Sequence, residues 1–343
     1  MESSYTSMAE LNHIRRVLLG LYLVVAVVIG TCLLPRAWSQ DAQPSGREMV
    51  DALHSAFGEH HARAVHTKGT IVTGSFVPSK EASKFTTAPH LQHSVGRLQV
   101  IARFSDFTGI PDIKDTDPSG SPKGFAVRFL LPDGEVTDIV NHSFNGFPTS
   151  NSADFATLLR AIGSANSSPP NTAPLDEFLA THPVAKSFLS GQKPPPSSWA
   201  TTPYFGVNAL KFTNARGESH YIRYRFVPLA GESWISPEDQ KTLPPNYLSE
   251  ELVRRLKRGP VRFKMLAQLA EEVDDFRDPS KPWPEDRKLV ELGIFTFTDV
   301  VPGELASKNL QFEPGAVTVG IETADPMLDV RRKAYPVSVS ERQ

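Results

Sequence analysis

A tyrosine set directly before a proline, with an arginine one helical turn upstream, is a pair of side chains that could hold a metal. In "MLDVRRKAYPVS" the pair is Arg331 and Tyr335. A proline pushes the residue before it out of the α region, so the spacing predicts a helix that ends at or near Tyr335 with Arg331 on the same face. A guanidinium beside a phenol favours the phenolate, the form able to ligate a hard ferric iron. The same spacing also describes a surface tyrosine with its ring over an arginine stem. Spacing alone leaves both readings open.

Two further stretches carry residues of interest. "EHHARAVHTKGTIVTGSF", residues 59–76, holds His60, His61 and His66. Imidazole is the side chain best suited to moving a proton near neutral pH. Zinc is the weaker reading, because there is no H-E-x-x-H and a spacing of five does not put two imidazoles on one helical face. His66 differs from an ordinary core or surface histidine by its setting, with Arg63 before it and Lys68 and Gly69 opening a predicted strand. In "IARFSDFTG", residues 101–109, Arg103 stands among apolar strand residues, a costly place for a cation unless an anion meets it. Ser105 shares its face. An Arg103 that reaches out to the strand end is the plain alternative.

These side chains need strands and helices to bring them together. "REMVDALHSAFG", residues 47–58, has the apolar spacing of a helix, and "VGRLQVIARFSDF", "GFAVRFLLPDG" and "EVTDIV" read as strands. "SADFATLLRAIG" and "PLDEFLATHPVAKSFLSG" read as helices, followed by the stiff proline stretch "KPPPSS". "NALKFTNARGESHYIRYRFVP" reads as a hairpin folded at Asn-Ala-Arg-Gly, and "KLVELGIFTFTDVV" as another strand. Alternating strands with helices segregated between them favour an antiparallel α+β or barrel architecture over βαβ winding. There is no internal repeat.

A formal charge of −2 and a pI near 6.6 give no electrostatic reason to expect a nucleic-acid partner. Arg15 and Arg16 precede residues 17–34, which carry no charge, so residues 1–40 read as an export signal or a membrane anchor. The length lies between that of a signal core and that of a spanning helix. Either way the expected location is periplasmic or otherwise extracytoplasmic, anchored through 17–34 or released by cleavage. "IGTC" is a poor lipoprotein box because Thr31 and the apolar residues after Cys32 do not fit one. A linker at 41–46 leads into the main domain, expected over 47–343. Cys32 is the only cysteine, which excludes disulfides, iron–sulfur clusters, a thiolate-ligated haem and covalent C-x-x-C-H attachment.

Taken in order, the three stretches resemble the haem catalase superfamily, most closely its small branch, the catalase-related peroxidases. "DPMLDVRRKAYP" matches the family's D-x-M-L-x-x-R-x-x-x-Y-P, and "RAVHTKG" and "ARFS" match R-x-V-H-x-K-G and V-R-F-S. The resemblance implies an antiparallel β-barrel haem core with surrounding helices. It implies that Tyr335 is the iron ligand, that Arg331 bonds its phenolate and that His66 is the distal acid–base group. Ser105 orients that histidine, Val65 walls the haem, Phe155 stacks over it, and Arg63, Arg103 and Arg342 meet its propionates. The expected cofactor is haem b, and the expected partners are a peroxide and an organic electron donor.

One departure bears on the reaction. Catalases carry G-N-N-T-P after the "DLV" that corresponds to "DIV" at 138–140, and the first of those asparagines is the second distal group. Without gaps that position is His142, while Asn141 and Asn145 stand nearby and a local shift would restore an amide. With His142 there, donor oxidation is expected to exceed weak catalase activity. The chain ends eight residues after Tyr335, so the family's helical extension and flavodoxin-like domain are expected to be lacking and a monomer or small homo-oligomer is expected. Two other readings fit the same residues: a lipid-hydroperoxide isomerase or dehydratase of the allene oxide synthase kind, and a non-enzymatic haem-binding module.

Overall fold

Phenylalanines at every second position do most to build the molecule. The computed structural model describes residues 43–302 and 310–342. Its strands are β1 (Gly69–Pro78), β2 (Leu98–Ser105), β3 (Gly124–Leu130), β4 (Val136–His142), β5 (Tyr204–Phe205), β6 (Leu210–Thr213), β7 (Ser219–Pro228), β8 (Val261–Leu269), β9 (Leu289–Val301) and β10 (Ile321–Thr323). All pairings are antiparallel, and β7 bonds to β8 as well as to β5, so eight strands close into a barrel while β6 and β10 extend it from β7. Phe104, Phe125, Phe129, Phe226, Phe263, Phe295 and Phe297 fill its interior, where closure leaves no sheet edge among those eight strands.

Because successive residues of a strand face opposite ways, packing Phe104 and Phe125 inward turns Arg103, Ser105, Gly124 and Ala126 outward. Register then sets them in rows: Ser105 beside Gly124 beside His142, and Arg103 beside Ala126 beside Val140. The helices that cover this outer face include α1 (Gly46–Phe57), α2 (Ser152–Ala165) and α6 (Met327–Ser340). Between α2 and α6 in sequence lie α3 (Ala173–Thr181), α4 (Pro183–Ser190) and α5 (Tyr247–Arg258). α1 begins on a capping box in which Ser45 Oγ accepts from Glu48 N and Ser45 N donates to Glu48 Oε2 at 2.7 Å. It buries Met49, Val50 and Leu53 in a second apolar cluster with Leu159, Val330 and Ala334. Gly46 permits the approach to α6, since a Cβ there would lie 2.2 Å from the carbonyl oxygen of Lys333.

Several expectations change. α6 does not end at Tyr335: it runs through Pro336 to Ser340. Arg332, whose carbonyl loses its donor to the proline, lies on the exposed side of the helix, and the far half is held by Val337 in the second cluster and by Ser338 Oγ accepting from Ala64 N at 3.2 Å. α1 starts inside the expected linker. "PLDEFLATHPVAKSFLSG" forms two helices, broken where His182 precedes Pro183. Neither α5 nor β8 was foreseen, although β8 shows the alternation of Val261, Phe263, Met265 and Ala267. The expected export or anchor segment lies outside the described residues.

His90 is a histidine of the barrel interior, 1% exposed, with its ring 4.6 Å from that of Phe129 and neither ring nitrogen hydrogen-bonded among the described residues. Burial pushes its pKa down to about 3. The unfolded chain therefore binds a proton below the ordinary value of about 6.5 that the folded one refuses. Stability is full above that pH and is lost as the pH falls toward 3, by at most about 1.4 kcal/mol per pH unit for one group. The thermal midpoint should fall between about pH 6.5 and 4, less steeply in His90→Leu than in the wild type, as read by calorimetry at several pH values.

Candidate active site

Between the outer row of the barrel and helices α1 and α6 lies a cleft of about 1280 Å³, its mouth included. His66 enters it from a turn before β1 with φ at +58°, a left-handed conformation uncommon for a residue with a side chain. Arg103 holds that turn, donating Nη1 to the carbonyl of His66 at 2.7 Å and Nη2 to that of Thr67 at 2.8 Å. His66 N donates to the carbonyl of Phe107 at 2.8 Å. On the ring, Nδ1 lies 3.0 Å from the carbonyl oxygen of Asp106 and 3.1 Å from Ser105 Oγ. A carbonyl only accepts, so Nδ1 carries the hydrogen and Nε2 is left with its lone pair. Gly124 makes room for this, because a Cβ would come within 2.6 Å of Nδ1 and 2.5 Å of Ser105 Oγ. Burial first, then the charges of Arg103, His142 and Arg331, push the His66 pKa down to about 3 and keep the ring neutral.

The row through Ser105 and Gly124 continues to His142, which settles which of three residues shares their face. Asn141 faces the other way, Nδ2 donating to the carbonyl of Phe125 at 3.1 Å. Asn145, expected as an alternative distal amide, is not among the residues that line the cleft; in the turn beyond β4 its Nδ2 donates to Glu285 Oε1 at 3.1 Å. His142 Nδ1 accepts from Phe144 N at 3.3 Å, which puts the hydrogen on Nε2, and that nitrogen is buried with no partner among the described residues. Burial, followed by Arg331, pushes its pKa down to about 3. The two imidazoles thus hold opposite tautomers.

Helix α6 supplies Tyr335 and Arg331. Arg331 Nη2 lies 3.5 Å from Tyr335 Oη, and Nη1 donates to Asn208 Oδ1 at 2.7 Å. Asn208 Nδ2 donates to Asp325 Oδ2 at 2.7 Å, and Asp325 Oδ1 accepts from Met327 N at 2.9 Å. Asn208 was not foreseen. Its position in "FGVNALKF", just before β6, carries no local sign that it would meet an arginine more than a hundred residues on.

At one end of the cleft Arg63, Arg103 and Arg342 gather. Burial, then Arg103 and Arg342, push Arg63 down to about 8; burial, then Arg342, push Arg103 down to about 10; burial lowers Arg342. Three guanidiniums lining one cleft suit an anionic ligand. Arg63 Nη2 donates to the carbonyl of Leu310 and Arg342 Nη2 lies 3.5 Å from Ser338 Oγ. Arg103, expected at a propionate, has both Nη atoms on backbone carbonyls, and its Nε is buried with no hydrogen bond among the described residues. Val65, Ala126, Val140, Phe147, Phe155 and Phe312 wall the rest, Phe147 and Phe155 with ring centroids 4.8 Å apart. A flat, largely apolar macrocycle with two carboxylates fits this set: apolar walls, a group of cations, a phenol from the helix, and imidazoles from β4 and from the turn before β1.

Known proteins are similar to this chain in sequence and in fold. The profile of the family described as Catalase matches residues 54–343. A protein of Mycolicibacterium paratuberculosis named catalase-related peroxidase is 35% identical over 305 residues, covering 86% of this chain and 94% of its own. Another of that name, from Synechococcus elongatus, is 30% identical over 302 residues, 86% of this chain and 88% of its own. The crystal structure of a fungal catalase superposes with a TM-score of 0.72 at 21% identity, covering 82% of this chain and 59% of that one.

Proposed function

The chain belongs to the catalase family, an assignment that makes it an oxidoreductase acting on peroxide, and from that premise we propose a haem b peroxidase that reduces hydrogen peroxide or an organic peroxide with an organic electron donor. The observation that carries the reading is the pair of opposite tautomers at one end of a cleft that also presents Tyr335 and its arginine. Haem, when bound, supplies the iron that takes up the oxidising equivalents of the peroxide. Tyr335 would ligate its iron, with Arg331 favouring the phenolate, and Arg63 and Arg342 would meet the propionates, with Arg103 contributing Nε. With no cysteine besides Cys32, the haem is held without thioether bonds.

The protein's own residues then handle the protons. His66 Nε2 takes the proton of bound peroxide and returns it to the leaving oxygen, a role worth about 10²–10⁴ in rate. His142 Nε2–H donates to the peroxide where catalases use an amide. Neutral forms of both rings are held by burial, so the arrangement stands ready through the neutral range. An imidazole fills the site more than an amide does, leaving less room to set a second peroxide for dismutation. The chain acts outside the cytoplasmic membrane if residues 17–34 direct export, which fractionation of cells making the full chain would test.

His142→Asn should raise the ratio of oxygen evolved to aromatic donor oxidised at least about tenfold, while His142→Leu, with no donor, should lower the rate of peroxide consumption by about 10² or more. An oxygen electrode and donor absorbance read both. Fast oxygen evolution from hydrogen peroxide by the wild type with no donor oxidation would overturn the proposal.

A further inference from the structure

Directly behind His66 lies a buried set of charges that the proposed chemistry does not use. Lys123 Nζ donates to Asp106 Oδ1 at 2.6 Å and to the carbonyl of Asp115 at 2.8 Å. Asp115 Oδ1 lies 2.5 Å from Lys68 Nζ, and its Oδ2 accepts from Leu248 N at 2.7 Å, near the start of α5. Lys68 Nζ also donates to the carbonyls of Ile113 and Pro245 at 2.6 and 2.7 Å. Asp106 and Asp115 are 0% exposed and Lys123 1%. Desolvating four charges is expensive even when they are paired, and an apolar set of the same shape would often do as well for stability alone.

Two of the four adjoin a cleft residue in sequence and a third stands close to one. Asp106 follows Ser105, Lys123 precedes Gly124 and Lys68 stands two residues after His66. The ring also closes through the backbone: Asp106 N donates to the carbonyl of Lys68 at 3.0 Å, and the Asp106 carbonyl oxygen is the one 3.0 Å from His66 Nδ1. The residue whose carbonyl fixes the tautomer of His66 is therefore held at its backbone nitrogen by Lys68 and through its side chain by Lys123.

We propose that Asp106 and Lys123 are positioning residues for His66: their ion pair holds the Asp106 carbonyl on Nδ1 and so keeps Nε2 a proton acceptor. This rests on the haem peroxidase reading for its consequence, though not for its geometry. The charged or titratable groups facing His66 are Arg103, His142 and Arg331, and those facing Asp106 are Lys123, Asp115, Arg103, Tyr204 and Tyr247. Burial pushes the Asp106 carboxyl up against the pull of Lys123, which leaves that anchor sensitive to loss of its partner.

The test is the association of cyanide with the ferric haem-loaded full chain by stopped flow from pH 5 to 9, since hydrogen cyanide must give a proton to a distal base. Asp106→Asn and Lys123→Met should each lower the rate across this range at least about tenfold, because Nε2 is then no longer held as the proton acceptor. Asp274→Asn, which breaks a salt bridge to Arg287 that does not touch the cleft, should lower the thermal midpoint and leave the profile alone. In the haem-free protein, nitrogen-15 histidine spectra should show one Nδ1–H tautomer for His66 in the wild type and a mixture in both variants. If Lys123→Met does not fold, Asp106→Asn carries the test, since it keeps an oxygen toward Lys123. An unchanged cyanide profile and a single tautomer in Asp106→Asn would make the pair merely structural and overturn the proposal. Failure of the wild type to take up haem would count against the peroxidase reading, while the tautomer spectra would still decide this one.

Discussion

Tyr335→Phe should leave a folded protein that releases haem at least about 100-fold faster than the wild type. Removing an outer partner of a metal ligand commonly costs 10–100-fold, and here the ligand itself goes. Phenylalanine keeps the ring of this half-buried residue on α6, so the thermal midpoint of the haem-free protein should stay within about 2 °C. Transfer of haem to a scavenging apoprotein measures the release. Arg331→Leu should act in the same direction and less strongly, since it removes the cation 3.5 Å from Tyr335 Oη and strands Asn208 Oδ1.

His66→Ala should bind haem as the wild type does and react with peroxide about 10²–10⁴ times more slowly, the size of a positioned acid–base group. Stopped-flow spectra at low peroxide separate this from any change in the donor step. The backbone adds a second expectation. At φ +58° alanine keeps the left-handed strain and glycine does not, so haem-free His66→Gly should be more stable than His66→Ala by about 1 kcal/mol. That order reverses the usual rank of the two residues, and chemical denaturation reads it. Equal peroxide rates in wild type and His66→Ala would remove His66 from the chemistry.

What could be read from the sequence was what is local. The barrel strands declare themselves by alternation, as in "GFAVRFLL", and the helices by apolar spacing and caps. Tyr335 and His66 stand in short strings whose order along the chain carries the resemblance, although spacing alone left Tyr335 open. What could not be read depends on register and on long-range meetings. Whether His142, Asn141 or Asn145 shares a face with Ser105 is fixed by pairing of β3 with β4, and a slip by one residue would have exchanged His142 for Asn141. Arg331 with Asn208, and Asp106 with Lys123, are contacts between segments that show nothing unusual alone. Pro336 misled for a physical reason: a proline ends a helix only where the freed carbonyl and the crowded turn find no relief, and on the exposed side of α6 they do.

The absorption spectrum of the ferric protein purified with haem bears on the central claim more directly than any rate. The account predicts a five-coordinate, high-spin spectrum of the phenolate-ligated type in the wild type, lost or shifted in Tyr335→Phe. A low-spin spectrum with two nitrogen ligands, or the same phenolate-type spectrum in Tyr335→Phe, would contradict it.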